Sequence, residues 1–157
     1  MGIIDSQSVK TLNAADERGF DGNKKVKGRK RHIIVDSLGH LLTVKVHGAN
    51  HHDSPSGIAV IDAVMGQYDC LKAICGDGGY NGSSTLHAIK QYGIDMIISK
   101  KIKAPEVSPK RWIVERTFAW LGWYRRVAID YEKLISFSEN MVRIAMIALG
   151  IRRLRKP

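Results

Sequence analysis

The chain has 157 residues, 44% of them hydrophobic and 25% charged, which suits one globular domain with a real core and is too short for two ordinary ones. Its 25 Lys and Arg outnumber 15 Asp and Glu, for a formal charge of +10, so a polyanionic partner is favoured, with an anionic membrane as the rival surface. The two cysteines, Cys70 and Cys75, match neither a zinc knuckle nor a redox pair and are expected as reduced thiols in or near the core.

In chain order, Met1 to Asp5 carries neither a charged n-region nor an apolar h-region, so secretion is not expected and the cytoplasm is the default. A first strand is predicted around Ile3 to Asp5. Residues 11 to 31 read as a polar loop ending in Lys24-Lys25-Val26-Lys27-Gly28-Arg29-Lys30-Arg31, six cations in eight positions. Ile33 to Val35 and Leu41 to Val46 form a predicted antiparallel hairpin across Asp36-Ser37-Leu38-Gly39. Ser54-Pro55 reads as an N-cap followed by a first-turn proline, opening a helix to about residue 66 with Ile58, Ile61 and Met65 at helical spacing.

A short strand follows from Ala73 to Gly76, a second helix from Ser83 to Gln91, and a strand over Met96 to Ile98. The stretch Lys100 to Pro109 is the candidate connector. Ser108-Pro109 starts a helix through at least Leu121, and a last helix spans Ser138 to Ile151 on a stripe of Met141, Ile144, Ala145, Ala148 and Leu149. The apolar run Ile144 to Ile151 is far shorter than the roughly 20 residues needed to span a bilayer, so no membrane association is expected. This order predicts an α/β mixed sheet with flanking helices and no internal repeat.

Three acids stand where elements end or begin. Asp5 closes Ile3-Ile4, Asp77 follows Ala73 to Gly76, and Glu115 lies within the helix Arg111 to Phe118. Hard oxygen ligands of this kind suit magnesium or manganese, and a pair of such ions about 3.5–4 Å apart would leave positions for phosphate and water. On spacing alone, turn-capping by these acids is the more common alternative.

The strings Asp5-Ser6-Gln7-Ser8-Val9-Lys10-Thr11, Lys24 to His32 leading to Val35-Asp36, Gly48-Ala49-Asn50 with Asp53, Gly76-Asp77-Gly78-Gly79-Tyr80, and Val114-Glu115-Arg116-Thr117-Phe118-Ala119-Trp120-Leu121 together resemble DDE transposases of bacterial insertion sequences, of the insertion sequence five group within the insertion sequence four class. The resemblance spans nearly the whole chain in the right order. It implies a ribonuclease-H-like fold, with Asp5, Asp77 and Glu115 as the catalytic, metal-binding triad. For such a triad the residues suggest two divalent ions, Mg²⁺ or Mn²⁺, and the expected arrangement has Asp5 bridging them, Asp77 completing one site and Glu115 the other. The family pattern has an Arg four residues before the Glu, here Arg111, but Ser108 stands at its Tyr position and Gly122 at its Lys position, leaving Arg125 or Arg126 as substitutes.

The expected activity is cleavage of transposon ends and strand transfer to target DNA. The alternatives are a nuclease or resolvase that stops at hydrolysis, and a truncated remnant that binds DNA without cutting it, since relatives carry an upstream DNA-binding region and Met1 stands four residues before Asp5. Expected phosphate contacts are Lys10, Lys24, Lys25, Lys27, Arg29, Lys30, Arg31, Arg111, Arg116, Arg125 and Arg126, with Lys100, Lys101, Lys110 and the tail Arg152, Arg153, Arg155 and Lys156 as further candidates. The partner is double-stranded DNA, bound by a homodimer at the bacterial nucleoid. His47, His51, His52 and Asp53 lack the further ligands of a zinc site and are expected in a loop near the active site, with His52 or Asp53 contacting DNA or capping the helix at Ser54. Tyr80 is expected either to stack on a displaced base or to pack beneath the catalytic strand.

Overall fold

A computed structural model describes residues 1–12, 14–99 and 110–155. The expected connector Lys100 to Pro109, the helix start at Ser108-Pro109 and Lys156 lie outside the described residues. The strands are β1 (Gly2–Lys10), β2 (Gly19–Asp21), β3 (Val26–Val35), β4 (Leu41–Gly48), β5 (Ala73–Gly76) and β6 (Asp95–Ile98). The helices are α1 (Asp53–Met65), α2 (Ser83–Tyr92), α3 (Arg111–Gly122), α4 (Arg125–Ala128) and α5 (Ile135–Leu154). Strands hydrogen-bond in the order β2-β3-β1-β5-β6, with β4 also on β3. The sheet is mixed, because β1, β5 and β6 run parallel while β2 and β3 are antiparallel.

The chain divides into two compact units. The first comprises Met1–Ser6, His32–Lys45 and His52–Arg116. Ile3 and Ile4 are both fully buried, as a strand in parallel pairing demands when neither of its faces meets water. The five-residue link Asp36 to His40 joins paired strands and is far too short for a parallel crossover, so the expected antiparallel hairpin forms. Asp36 organises its turn by accepting the N–H groups of Leu38 and His40, at 2.9 and 2.8 Å, and Gly39 takes φ +89° there.

Helices α1 and α2 supply Val60, Ile61, Val64 and Ala88 to a core with Ile4, Ile34, Leu71, Ile74, Tyr80 and Ile94. Helix α1 starts two residues earlier than the proline suggested: His52 is the N-cap, so Ser54 and Pro55 fall within the first turn, where a missing N–H costs nothing. Ser54 Oγ instead donates to the Asn81 carbonyl at 2.9 Å. Helix α2 stops at Gly93, which adopts φ +64° and returns its N–H to the last turn.

The second unit comprises Gln7–Arg31, Val46–His51 and Thr117–Pro157. Asp130, 1% exposed, organises it: its carboxylate accepts from Ser138 Oγ at 2.5 Å and from the Glu132 N–H at 3.0 Å. Gly28 permits a close strand approach, since a Cβ there would stand 2.0 Å from the Val9 carbonyl oxygen. On α5 the buried stripe is Ser138, Val142, Ala145 and Met146. Of the expected stripe Ala145 is buried and Met141, Ala148 and Leu149 are half-buried, whereas Ile144 is 55% exposed.

The basic segment also differs from expectation. Only Lys24, Lys25 and Lys27 are exposed, around a turn held by Asp21 Oδ1, which accepts the N–H groups of Asn23 and Lys24 at 3.0 Å each. Arg29, Lys30 and Arg31, expected to grip phosphate, are buried in β3 and engaged by the protein itself. The Arg29 guanidinium pairs with Asp130 at 3.3 Å and donates to the carbonyls of Asp16, Glu132 and Lys133 at 2.5, 2.8 and 2.5 Å. Lys30 Nζ donates to the His51 carbonyl at 2.8 Å. Arg31 donates to the Val127 carbonyl at 2.6 Å, and burial pulls its guanidinium down to about 10, reinforced by Arg29 and opposed by Asp130. Helix ends and loop turns leave carbonyls without intrahelical or ladder partners, and these arginines satisfy them from inside.

Candidate active site

Strand pairing builds the first half of the site. Gly2 pairs with Ile74 and Ile3 with Cys75 in parallel register. Two residues farther along each chain, Asp5 and Asp77 stand on the same side of neighbouring strands, because side-chain direction repeats every second residue. Asp5 Oδ1 accepts the Ser6 N–H at 2.7 Å. Asp77 caps the single 3-10 turn Gly78–Tyr80, its Oδ1 accepting the Gly79 N–H at 2.9 Å.

Helix α3 supplies the second half. Arg111 and Glu115, four residues apart, share one helix face. The Arg111 Nη2 nitrogen stands 3.6 Å from Asp5 Oδ2, 4.0 Å from Asp77 Oδ2 and 3.5 Å from Glu115 Oε1. All three expected site carboxylates therefore meet at one cationic atom. Exposure rises from Asp5 at 15% through Asp77 at 34% to Glu115 at 55%, so the helix carboxylate forms the open side.

Three anions held this close repel one another and require a cation among them. Among the described residues, no group of three His, Cys, Asp or Glu is near enough to share one ion directly. The guanidinium fills that position. An all-oxygen donor set gathered around a positive charge nevertheless fits a hard divalent ion, and Asp5, Asp77 and Glu115 are the residues that would hold it.

A fourth carboxylate lies beside the three. Asp53 Oδ1 accepts from Ser6 Oγ at 3.1 Å and stands 3.7 Å from His32 Nε2. His32 Nδ1 is 2.7 Å from the Tyr80 hydroxyl. Tyr80 is fully buried, which decides between its two expected roles: it packs beneath the strand ends and has no face for a displaced base. Burial, then the charges of Asp5, Asp53 and Asp77, push its phenol well above the ordinary range, so it stays protonated. Sequence reading placed Asp53 near the site but gave no role to His32 and Ser6, although both lie within the strings that carry the family resemblance.

The remaining expected contacts are scattered in character. Lys10 and Arg125 are exposed. Arg116 donates to the Leu38 carbonyl at 3.0 Å and lies 4.5 Å from the centre of the Trp112 ring, which is 45% exposed. Arg126 is 64% exposed and pairs with Glu132 at 2.5 Å. Arg153 stacks 4.0 Å from the Trp120 ring. Cys75 is buried and its thiol raised by that burial, whereas Cys70 is exposed, contrary to expectation.

Two family models described as the Transposase DDE domain match this sequence, one over residues 1–105 and the other over residues 74–152. The chain belongs to the DDE transposase family. A putative transposase for insertion sequence element IS402 of Burkholderia cepacia is 30% identical over 115 residues, covering 68% of this chain and 54% of the relative. This DDE domain thus spans about half the length of that curated relative. Its fold is that of the catalytic core domain of BIV integrase, with a TM-score of 0.55 at 13% identity over 94% of this chain and 81% of the integrase chain. The expected ribonuclease-H-like fold is thereby met. Among the described residues no helix is long and apolar enough to cross a membrane.

Proposed function

We propose that this chain carries out phosphoryl transfer on double-stranded DNA, cutting at transposon ends and joining them to target DNA in the bacterial cytoplasm. The observation that carries the reading is the meeting of Asp5, Asp77 and Glu115 at one cationic point. Divalent magnesium or manganese, held by these carboxylates, supplies activation of the attacking oxygen and stabilisation of the leaving one. The protein's own residues do the positioning. Asp5 and Asp77 are set by strand register and by the N–H groups of Ser6 and Gly79, so little reorganisation is required of them during reaction. Glu115 completes the set from a helix, and Arg111 offsets part of the cluster's negative charge. No covalent intermediate on the protein is required by this chemistry.

Exposed Lys10, Lys24, Lys25, Lys27, Arg125 and Arg126 are the candidates for holding phosphate. They position the duplex without reading its sequence. Synapsis of two ends calls for a homodimer on DNA.

End cleavage of DNA bearing the element's termini, in magnesium or manganese, tests the reading. Asp77→Ala is expected to reduce cleavage by at least about a thousandfold, since removing a group that acts as part of a catalytic unit costs nearly the whole enhancement. Equal cleavage by wild type and variant overturns the triad. Joining of a labelled 3′ end to target DNA separates a transposase from a nuclease that stops at hydrolysis.

A further inference from the structure

We infer that Asp53 is a positioning residue for the two strand carboxylates, acting on Asp5 through Ser6 and on Asp77 through His32 and Tyr80. The inference rests on the metal-dependent reading above and deepens it. Asp53 is the first residue of α1, where the peptide dipoles favour a carboxylate. From there it faces both catalytic strand ends.

Toward Asp5 the link is one residue long. Ser6 is held at both ends, its hydroxyl by Asp53 Oδ1 at 3.1 Å and its backbone N–H by Asp5 Oδ1 at 2.7 Å. Asp53 thereby anchors the side chain of the strand residue whose N–H orients Asp5. Toward Asp77 the link runs through His32, 3.7 Å from Asp53 at Nε2 and 2.7 Å from the Tyr80 hydroxyl at Nδ1. Tyr80 closes the turn that Asp77 opens, its N–H donating to the Asp77 carbonyl at 3.1 Å. Both rings are fully buried and meet edge to face at 86°, so the support is rigid.

Gly79 brings the two carboxylates into direct register. A Cβ at that position would lie 3.0 Å from Asp77 Oδ1 and 3.4 Å from Asp53 Oδ2. Both oxygens therefore flank the space a side chain would occupy at this position, and its absence lets them converge there. The Arg111 guanidinium, by contrast, reaches Asp5, Asp77 and Glu115. Asp53 accordingly acts on the orientation of the others, as outer residues do for the groups that hold a metal.

Manganese binding by the full chain, followed by electron paramagnetic resonance without DNA, tests this alongside Mn²⁺-dependent nicking of a supercoiled plasmid. Asp53→Ala is expected to weaken Mn²⁺ binding about tenfold, the lower end for loss of an orienting partner, and to lower kcat similarly with KM for DNA unchanged. Asp53→Asn, which still accepts from Ser6, is expected to recover most of the affinity. Mn²⁺ affinity and kcat within twofold of wild type in Asp53→Ala overturn the inference. If that variant does not fold, Tyr80→Phe cuts the His32 link by one oxygen, and unchanged affinity there overturns it equally. Asp77→Asn distinguishes the two levels: retained Mn²⁺ binding in it overturns the metal reading and this inference together, whereas its loss beside an unaffected Asp53→Ala overturns only the positioning role.

Discussion

Arg111 is the residue on which the site's electrostatics turn. Its guanidinium is 24% exposed and lies within 4.0 Å of all three carboxylates, so it stabilises the cluster in the absence of metal and competes with any ion that enters. Arg111→Gln keeps a polar side chain of moderate length but removes that charge. We expect it to bind Mn²⁺ roughly threefold to tenfold more tightly in the absence of DNA, the modest factor appropriate to a partly exposed charge. A calorimetric titration showing weaker binding would mean that Arg111 assembles the ligands and does not compete with the ion. The i,i+4 spacing of Arg111 and Glu115 was legible in sequence. Its reach to Asp5 and Asp77 was not, because those contacts span more than thirty residues of chain.

At the scale of elements, β3 shows how charge can mislead. Lys24 to Arg31 reads as one basic run, yet the turn before β3 and the start of that strand keep three of its cations in water, while the strand's next residues carry three inward. What decides is the cluster of accepting carbonyls at Asp16, Val127, Glu132 and Lys133, which no local pattern announces. Arg29→Ala leaves Asp130 buried beside an empty space and is expected to cost about 3–5 kcal/mol of stability. Arg29→Lys is expected to recover little, since an ammonium cannot reproduce the planar fork. Urea denaturation measures both, and a loss below about 1 kcal/mol for Arg29→Ala would show the cage to be dispensable. Strand and helix existence was otherwise readable from period and turn residues. Strand β2 and helix α4, with three and four residues, are too short to show a period.

For the molecule as a whole, the charge of +10 must be discounted by what is buried. Lys24, Lys25 and Lys27 are the part of the basic segment left to meet phosphate. Changing all three to Ala is expected to weaken duplex binding and to reduce the slope of log K against log salt by up to about 2.7, at roughly 0.9 per phosphate contact. Filter binding across a salt series measures it, and an unaltered slope removes this turn from the DNA-binding surface. Thermal stability is expected to stay within about 0.5 kcal/mol of wild type, as for exposed positions generally.

Sequence by itself determined the family, the fold class, the order of most elements and three acids at element ends, because those depend on local period, turn chemistry and short strings of residues. Tertiary structure decided which charges work outward. It drew Arg29, Lys30 and Arg31 into the protein, set Tyr80 beneath the strand ends, and brought Asp53, His32 and Ser6 beside the triad. The physical reason is that a charged or polar side chain takes whichever partner best repays its desolvation, and that partner is chosen by packing between segments distant in sequence.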